Sequence, residues 1–535
     1  MNKKLLVIAL GLFVVLSAGF LSFQKKSSNQ SVEHTAASAQ AVHIKTSETV
    51  ELKNGDTFAL SAGYVEQEIG GVKQKMLAYN GSIPGPTIKV AQGAEVTINF
   101  TNNTDLPAAL HSHGVRMDNA FDGAPPVTQP EIAPGGSFVY KLKFPDAGIF
   151  WYHSHVGEVY EQPLGLYGAF IVAPKDAAYY APVNREAPLF LTDLPVDRGA
   201  ITIQADTKDH ALMGHFGNIM LINGQEHFSL AAQKGEVLRL YVINAANARP
   251  YKFAIAGAKL KVVGSDNGAY EKAFWADSVT LGPAERAIVD VLFAKQGTYE
   301  LQNKTPEKTY SLGDIVVSDE AVETSYSQQF KVLQSNKTVS QSIDPFRKYF
   351  NSTPDKQLSL AIQAGGTMPM SGMGMGRGPV MPSKVMPDHR QMMKLMMAST
   401  KPAPGGIEWE DDDTAMSGLT TDDLTWAMTD TATGKKNADI DWRFKRGQAV
   451  KIRIFNDPAG LHPMQHPIHF HGQRFILLDR DGKKETNLVW KDTVLVPIGQ
   501  TVDILLDASN PGTWMAHCHI SEHLAAHMMF NFKVE

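Results

Sequence analysis

The stretch MAHCHISEHLAAHMM, residues 515–529, holds the only cysteine of the 535-residue chain, Cys518, between two histidines. In a β-strand, residues i and i+2 project from one face and residue i+1 projects from the other. We therefore expect His517 and His519 to face one site and the Cys518 thiolate to face another. A strand of this kind would connect two metal centres through a few covalent bonds.

The same spacing recurs elsewhere in the chain. With 18 histidines in 535 residues, chance predicts about 0.6 His-x-His pairs, yet the sequence has four. They are LHSHG with His111 and His113, WYHSH with His153 and His155, HPIHFHG with His469 and His471, and HCH with His517 and His519. If these segments are strands, each pair presents two imidazoles to one metal cluster.

The cysteine has further candidate ligands nearby. A thiolate with two imidazoles and a weak axial methionine is the blue-copper arrangement used for electron transfer. His523 follows Cys518 by five residues and Met528 follows it by ten. The second histidine has to come from elsewhere, and His466 in HPIHFHG is the natural candidate. Zinc is the competing metal, but a structural zinc site usually has more cysteines or fewer histidines than this set.

An internal repeat indicates the architecture. QGAEVTINFTN (92–102), KGEVLRLYVIN (234–244) and RGQAVKIRIFN (446–456) share a glycine, an alternating apolar segment and a final asparagine. Three copies of one β-sandwich explain this pattern most simply. In the first and third copies, a later glycine is followed after five residues by His153 or His517, whereas the middle copy has Gln302 there. The middle copy is predicted to be structural and to hold the outer two in register.

The composition and the N-terminal sequence limit where the protein is expected to act and which partners it can bind. The net charge of -5 and pI near 6.4 provide no basic surface for phosphates, which excludes nucleic acid as a partner. Lys3 and Lys4 precede an apolar run over residues 5–23, which is typical of an export signal and is also long enough for a membrane anchor. We expect an exported, periplasmic or extracytoplasmic protein, with this run as a possible anchor.

The histidine motifs, in the order HxHG, WYHSH, HPxHxHG and HCHxxxHxxxxM, resemble the four copper-binding motifs of the multicopper oxidases. The match is clearest over residues 80–173 and 440–533 and weaker over 185–320. The resemblance implies an all-β fold of three tandem cupredoxin-like Greek-key β-sandwich domains. The expected segments are 1–41 (signal or anchor plus linker), 42–180, 181–330 without copper ligands, and 331–535 with a Met-rich insertion at 365–397.

The resemblance also implies four copper ions, one blue, one mononuclear in the cluster and two forming a coupled pair. The expected ligands are His466, Cys518, His523 and axial Met528 for the blue copper, His111 and His469 for the mononuclear ion, His113, His153 and His519 for one member of the pair, and His155, His471 and His517 for the other. In the family, four single electrons enter at the blue copper, pass through Cys518 and reduce dioxygen to water.

Dioxygen reduction consumes protons, so we expect a carboxylate near the cluster. Asp122, in FDGAPPVTQ, matches an acidic position of bacterial members of the family, with a turn aspartate as the alternative. Leu524 stands where many bacterial members have a second glutamate, which leaves Glu522 as a weaker candidate for the proton route.

The substrate prediction depends on methionine. Residues 365–397 carry 10 of the 21 methionines, interleaved with Gly and Pro. Thioethers select Cu(I), and a similar insertion occurs in the copper-efflux oxidases, so Cu(I) is the expected substrate and copper tolerance the expected role. The possible Cu(I)-binding residues are Met368, Met370, Met373, Met375, His462 and Met464. The acidic run at 408–413 is more typical of a solvated loop than of a ligand set.

Other functions stay open at this point. A laccase-like phenol oxidase would use the same coppers with small reducing substrates in place of Cu(I). A non-enzymatic extracytoplasmic copper-binding protein would need the methionines but not four histidine pairs, and a copper nitrite reductase would not need all four pairs in one chain. The expected partners are dioxygen and Cu(I) or another small reductant, with no obligate protein partner.

Overall fold

A computed structural model describes residues 41–203, 210–364, 404–410, 424–459 and 463–535. Regular structure in these ranges is mostly strand, which confirms the all-β prediction. No helix in the described ranges is long and apolar enough to cross a membrane. The predicted anchor (5–23) and the Met-rich insertion (365–397) lie outside the described residues.

The first part of the chain forms two five-stranded sheets, in the orders β1-β3-β6-β8, with β4 paired to β3, and β2-β5-β10-β9-β7. Residues in β6 alternate between more exposed and buried positions, as expected for a strand with one face on a core. The strands are β1 (Val42–His43), β2 (Thr49–Leu52), β3 (Thr57–Ile69), β4 (Val72–Tyr79), β5 (Thr87–Ala91), β6 (Glu95–Asn102), β7 (His111–His113), β8 (Ser137–Lys143), β9 (Gly148–His153) and β10 (Tyr167–Ala173).

The middle part forms a six-stranded sheet, β14-β11-β16-β21-β18-β19, and a five-stranded sheet, β15-β23-β22-β17-β20, with a small β12-β13 pair beside them. The strands are β11 (Arg185–Leu194), β12 (Val196–Asp197), β13 (Ala200–Ile201), β14 (Ile219–Ile222), β15 (Phe228–Lys234), β16 (Glu236–Asn244), β17 (Tyr251–Ile255), β18 (Leu260–Ser265), β19 (Gly268–Ala276), β20 (Val279–Leu281), β21 (Arg286–Phe293), β22 (Gly297–Lys304) and β23 (Thr309–Ala321).

The last part forms a seven-stranded sheet, β25-β24-β27-β33-β29-β30 with β31 on β29, and a five-stranded sheet, β26-β35-β34-β28-β32. The strands are β24 (Lys356–Ala364), β25 (Leu424–Asp430), β26 (Trp442–Phe444), β27 (Gln448–Asn456), β28 (His466–Phe470), β29 (Arg474–Arg480), β30 (Lys483–Lys484), β31 (Trp490–Lys491), β32 (Thr493–Val496), β33 (Thr501–Ala508), β34 (Gly512–Cys518) and β35 (Met529–Val534).

The helices in the described ranges are short and lie between strands. They are α1 (Glu158–Glu161), α2 (Ser327–Phe330), α3 (Lys337–Ile343) and α4 (Ser521–Ala525), with 3-10 turns at Asn119–Phe121, Asp344–Tyr349, Pro404–Gly406 and Asn437–Asp439. Two of them, α1 and α4, begin within three residues of His155 and His519, so they position residues next to the predicted metal site.

The sequence repeat corresponds to a repeated set of strand pairings. In each copy the strand with the final asparagine pairs in parallel with one strand and antiparallel with another, as in β3-β6-β8, β11-β16-β21 and β24-β27-β33. The asparagine side chain then donates two hydrogen bonds to main-chain carbonyls. The acceptors are those of Leu106 and Ile132 for Asn102, Arg249 and Leu281 for Asn244, and Met464 and Val496 for Asn456. The asparagine recurs because each copy needs these carbonyls satisfied.

The core of the last pair of sheets includes side chains from the middle part of the chain. Leu212, Met213, Phe216 and Ala248 pack in the same buried cluster as Cys518 and its neighbours. The exact domain limits stay a prediction, but this shared core shows that the middle part closes one side of the cysteine site.

Candidate metal centres

Two antiparallel strand pairs bring the histidines together. On β7 and β9, His111 lies opposite His153, and on β28 and β34, His469 lies opposite His517. Because alternate residues of a strand share a face, each strand pair presents its imidazoles to one common space.

Eight histidines form one buried cluster. Their nitrogen atoms lie within 4.8 Å of one another in three groups, and no ring is more than about a twentieth exposed. The groups are His111, His113 and His469; His113, His153 and His519; and His155, His471 and His517. The cluster thus joins the first and last parts of the chain.

Four of the rings are oriented by a hydrogen bond from Nδ1 to a main-chain oxygen. The Nδ1–H groups of His111, His153, His469 and His517 donate to the main-chain oxygens of Asp122, Ser154, Asp492 and Cys518, at 2.7, 2.8, 2.8 and 2.8 Å. The second nitrogen of the first three of these rings meets no hydrogen-bond partner among the described residues. The Nε2 atom of His517 faces Nε2 of His471 at 2.9 Å. Buried nitrogens that converge in this way, each held by a partner behind the ring, fit metal ligands.

The electrostatics favour neutral rings. Burial, followed by the neighbouring imidazoles, lowers the pKa of most of the cluster, and for His517 to about 3. The exception is His155, because Glu158 accepts from its Nδ1 at 2.8 Å and its carboxylate outweighs burial, so the pKa of His155 is raised. Neutral imidazoles have the lone pair that a metal ion requires.

Asp122 lies at the edge of the cluster and is fully buried. Its Oδ2 accepts from His471 Nδ1 at 2.9 Å, and its main-chain oxygen accepts from His111. Burial raises the pKa of the Asp122 carboxyl, against the opposing effects of His111 and His155. A solvated turn aspartate would have neither this burial nor these partners.

Sequence reasoning missed two acidic residues that hold cluster histidines. Asp492 Oδ1 accepts from His113 Nε2 at 3.1 Å, and Glu158 bonds His155. The sequence signal for Asp492 is slight, a single aspartate before the apolar run of β32. Neither residue stands in a His-x-His motif, so spacing alone could not identify it.

The second centre lies on the other face of β34. The Cys518 Sγ is 3.6 Å from Nδ1 of His466 and 3.6 Å from Nδ1 of His523, and these two nitrogens are 3.2 Å apart. All three residues are fully buried. Behind one ring, His523 Nε2–H donates to the Leu212 main-chain oxygen at 3.1 Å. This trigonal set of one thiol and two imidazoles matches the donors of a blue-copper site.

Met528 closes the loop that carries these ligands. It is fully buried, its N–H donates to the His523 oxygen at 2.9 Å, and its own oxygen accepts from Cys518 N–H at 3.1 Å. Burial raises the pKa of the Cys518 thiol, so without a metal ion the sulfur stays protonated. Metal binding would displace that proton, because the thiolate is the ligand form.

The possible Cu(I)-binding residues stay a prediction. Met464 is fully buried in the core of the last pair of sheets. The other possible Cu(I)-binding residues, His462, Met368, Met370, Met373 and Met375, lie outside the described residues. The start of the acidic run differs from a solvated loop, because residues 408–410 are buried or half-buried between the middle and last parts of the chain. Residues 411–413 are outside the described ranges.

Comparison with known proteins finds matches along most of the chain. Family models described as multicopper oxidase match residues 62–177, 188–322 and 411–535. The copper resistance protein A homolog of Pseudomonas syringae pv. tomato is 25% identical, with 90% of this chain and 93% of that protein covered. Multicopper oxidase MmcO of Mycobacterium tuberculosis is 26% identical, with 86% and 83% covered. The solved structure of a Campylobacter jejuni multicopper oxidase, described as a metallo-oxidase, has a TM-score of 0.66 at 24% identity, covering 93% of this chain and 96% of that one.

Proposed function

This chain belongs to the multicopper oxidase family, and from that premise we propose that its reducing substrate is Cu(I) and its role is copper tolerance. The enzyme is an oxidoreductase that uses dioxygen and four copper ions. When bound, the coppers supply single-electron transfer at the cysteine site and four-electron reduction of dioxygen to water at the histidine cluster.

The ligand assignment follows the four groups described above. His466, Cys518, His523 and Met528 would hold the blue copper. His111 and His469 would hold the mononuclear ion of the cluster, and the coupled pair would be held by His113, His153 and His519 on one side and by His155, His471 and His517 on the other. Support comes from the donor atoms that converge in each group and from the hydrogen bonds behind the rings.

The chain connects the two centres at Cys518. His517 and His519 are its covalent neighbours, and His517 Nδ1–H also donates to the Cys518 main-chain oxygen at 2.8 Å. With copper bound, the chain would therefore offer an electron two covalent routes from Cys518 and one route through this hydrogen bond. At the cluster, Asp122 would hold a proton and pass it on through its carboxylate, since one oxygen orients His471 and the carboxyl lies beside the cluster.

The observation that carries the substrate proposal is the anchoring of the segment that follows the Met-rich insertion. Glu408 N–H donates to Gln465 Oε1 at 2.8 Å, and Gln465 Nε2 donates to the Glu408 oxygen at 3.2 Å. Gln465 directly precedes the blue-copper ligand His466. The two reciprocal bonds fix Glu408 next to the point where electrons enter.

A second set of contacts holds the same segment on the middle sandwich. Arg249 donates to the Trp409 oxygen at 2.9 Å and to Glu410 at 3.0 Å, and the Tyr310 hydroxyl donates to Glu410 at 2.7 Å. The last insertion methionine, Met397, is 11 residues before Glu408, a span of at most about 40 Å. A chain of this length can connect the anchored segment with the cysteine site, as the proposal requires.

Location follows from the same proposal. A protein that oxidises Cu(I) for tolerance protects most directly outside the cytoplasm, and the charged and apolar N-terminal sequence is typical of an export signal. The name of the Pseudomonas relative connects that protein with copper resistance. We assign this chain to the periplasm or another extracytoplasmic space, either released or held by residues 5–23.

The test is oxygen uptake by the copper-loaded protein with Cu(I) or with a phenol as electron donor. It compares the full chain with a variant lacking residues 365–397. Cu(I) should be the better donor, and the deletion should lower its kcat/KM at least tenfold without lowering phenol turnover. A preference for phenol that increases on deletion would overturn the proposal and make the insertion a cover over a laccase-like site.

A further inference from the structure

One guanidinium group lies where the three sandwiches meet. Arg286, the first residue of β21, is completely buried. Its Nε donates to the Ile149 oxygen on β9 at 3.2 Å, and its Nη1 donates to the Ala284 oxygen at 3.1 Å. Both Nη atoms donate to the carboxylate of Asp492 at 2.6 Å. The residue therefore contacts the first, middle and last sandwiches at once.

Asp492 connects Arg286 to the histidine cluster. Its Oδ1 accepts from His113 Nε2 at 3.1 Å and from the Thr493 hydroxyl at 2.9 Å, and its main-chain oxygen accepts from His469 Nδ1 at 2.8 Å. The other nitrogen of each ring, His113 Nδ1 or His469 Nε2, has no hydrogen-bond partner among the described residues. One aspartate thus sets the direction of the ligand atoms of two rings.

Close packing against Gly114 restricts the position of the Asp492 carboxylate. A Cβ atom added to Gly114, the residue after His113, would lie 2.1 Å from Asp492 Oδ2 and 3.0 Å from Arg286 Nη2, and Gly114 has φ of +80°. The glycine of the HSHG motif is therefore required by the close approach of the Arg286–Asp492 pair. The pair and the first histidine motif fit together as one unit.

We propose that Arg286 is a positioning residue for the histidine cluster, which fixes the Asp492 carboxylate so that His113 presents its Nδ1 to copper. This inference rests on the ligand assignment proposed above. A guanidinium binds both carboxylate oxygens in a fixed plane. Without it the carboxylate can rotate, and His113 Nε2–H keeps only its weaker neutral acceptor, the Thr493 hydroxyl at 3.1 Å. The middle sandwich, which has no cluster histidine, would in this way control copper binding between its neighbours.

The middle sandwich also provides a matched control. Arg239 and Asp290 form a second buried, two-point pair, at 2.8 and 3.0 Å, between β16 and β21. Neither residue is a member of any of the described ligand groups. Arg239→Met and Arg286→Met should both lower the thermal midpoint of the metal-free protein, because each leaves a buried carboxylate without its partner.

The experiment measures copper binding by the purified full chain. Copper is titrated against a competing chelator, the total copper per chain is determined, and electron paramagnetic resonance and the thiolate charge-transfer absorption report the cluster and cysteine sites separately. For Arg286→Met we expect cluster affinity to fall about 10- to 100-fold, the range typical of lost partners behind metal-binding histidines, with the cysteine-site absorption retained. Arg239→Met should load all coppers normally.

Two further variants keep the test decisive if Arg286→Met does not fold. Gly114→Ala displaces Asp492 from the other side and Arg286→Lys retains the charge without the planar two-point contact, so both should weaken the cluster signal by less than Arg286→Met. If Arg286 variants load copper as Arg239→Met does, the proposal is wrong. If His113→Ala also retains full cluster copper, the ligand assignment itself has failed, which distinguishes the two failures.

Discussion

Acidifying the metal-free protein from pH 7 to pH 5 should unfold it, because the buried histidines would have to take up protons. Eight imidazoles at the two centres have pKa values lowered first by burial and then, in each case, by neighbouring imidazoles. In the unfolded chain a histidine has a pKa near 6.5. The stability contributed by each neutral ring is therefore present above about pH 6.5 and is lost as the pH falls below it.

The size of this loss of stability follows from the linkage between proton binding and folding. When the pH falls from 7 to 5, a ring becomes protonated in the unfolded chain but stays neutral in the folded chain. Each such ring lowers the free energy of unfolding by about 2 kcal/mol. Eight rings would remove about 15 kcal/mol, as much as the whole stability of a typical protein. Buried carboxyls with raised pKa values, such as Glu161, bind protons in the folded state and act in the opposite direction. His155, whose pKa is raised, is left out of the sum.

The assay isolates the imidazoles from these opposing groups. Calorimetric unfolding at pH 5 in buffers of different ionisation enthalpy counts the protons taken up. The double variant His469→Gln/His517→Gln should take up about two fewer protons and lose about 4 kcal/mol less stability between pH 7 and pH 5. The same substitution at the exposed His43 controls for the general effect of glutamine. Equal proton uptake by the double variant and the native chain would refute the reasoning, whereas added copper should restore stability in the native chain.

Three further substitutions test separate parts of the site. Trp426→Ala removes a fully buried ring whose centroid is 4.2 Å from that of His523; thermal unfolding should show a loss of about 3–5 kcal/mol, and an unchanged midpoint would contradict the packing. Asp122→Asn should lower dioxygen turnover about 100-fold with unchanged copper content and donor KM, and a loss of copper would instead make its contact with His471 purely structural. Glu410→Ala removes the contacts of this side chain with Arg249 and Tyr310 and should raise the KM for Cu(I) about tenfold. An equal effect with phenol would show that the anchoring of this segment has no role in Cu(I) capture.

Local periodicity was enough to predict that the two histidines of each His-x-His motif share one face of a strand, whereas the grouping of the motifs around each copper came from the resemblance to the multicopper oxidases. The i, i+2 rule places His517 and His519 on one face of the chain at the end of β34 and Cys518 on the other, because a strand period of two is independent of the rest of the chain. Likewise, the repeated asparagines predicted three equivalent units, and their amide groups bond equivalent carbonyls in all three. Such features depend on residues close together in sequence.

The contacts behind the ligands could not be predicted in this way. Arg286 and Asp492 are 206 residues apart, and each stands in an ordinary strand sequence. Their pairing depends on how three sandwiches pack, which strand patterns do not specify. The same holds for Glu408, which belongs to an acidic run that reads as a solvated loop but whose main chain pairs with Gln465 beside a ligand. Burial of a charged side chain is a property of the assembled fold.

The middle sandwich shows why a repeat without metal ligands remains in the chain. At the cysteine site, the Leu212 oxygen accepts from His523, the Ala211 oxygen accepts from Trp426 at 2.7 Å, and His215 donates to Glu522 from its main chain at 3.0 Å and from its ring at 2.6 Å. At the other centre, Arg286 holds Asp492. Both centres thus receive some of their outer hydrogen bonds from the middle sandwich. Because such partners fix ring orientation, a single sandwich can keep the cysteine site and the histidine cluster aligned with each other, and the loss of its own ligands leaves it free to serve both.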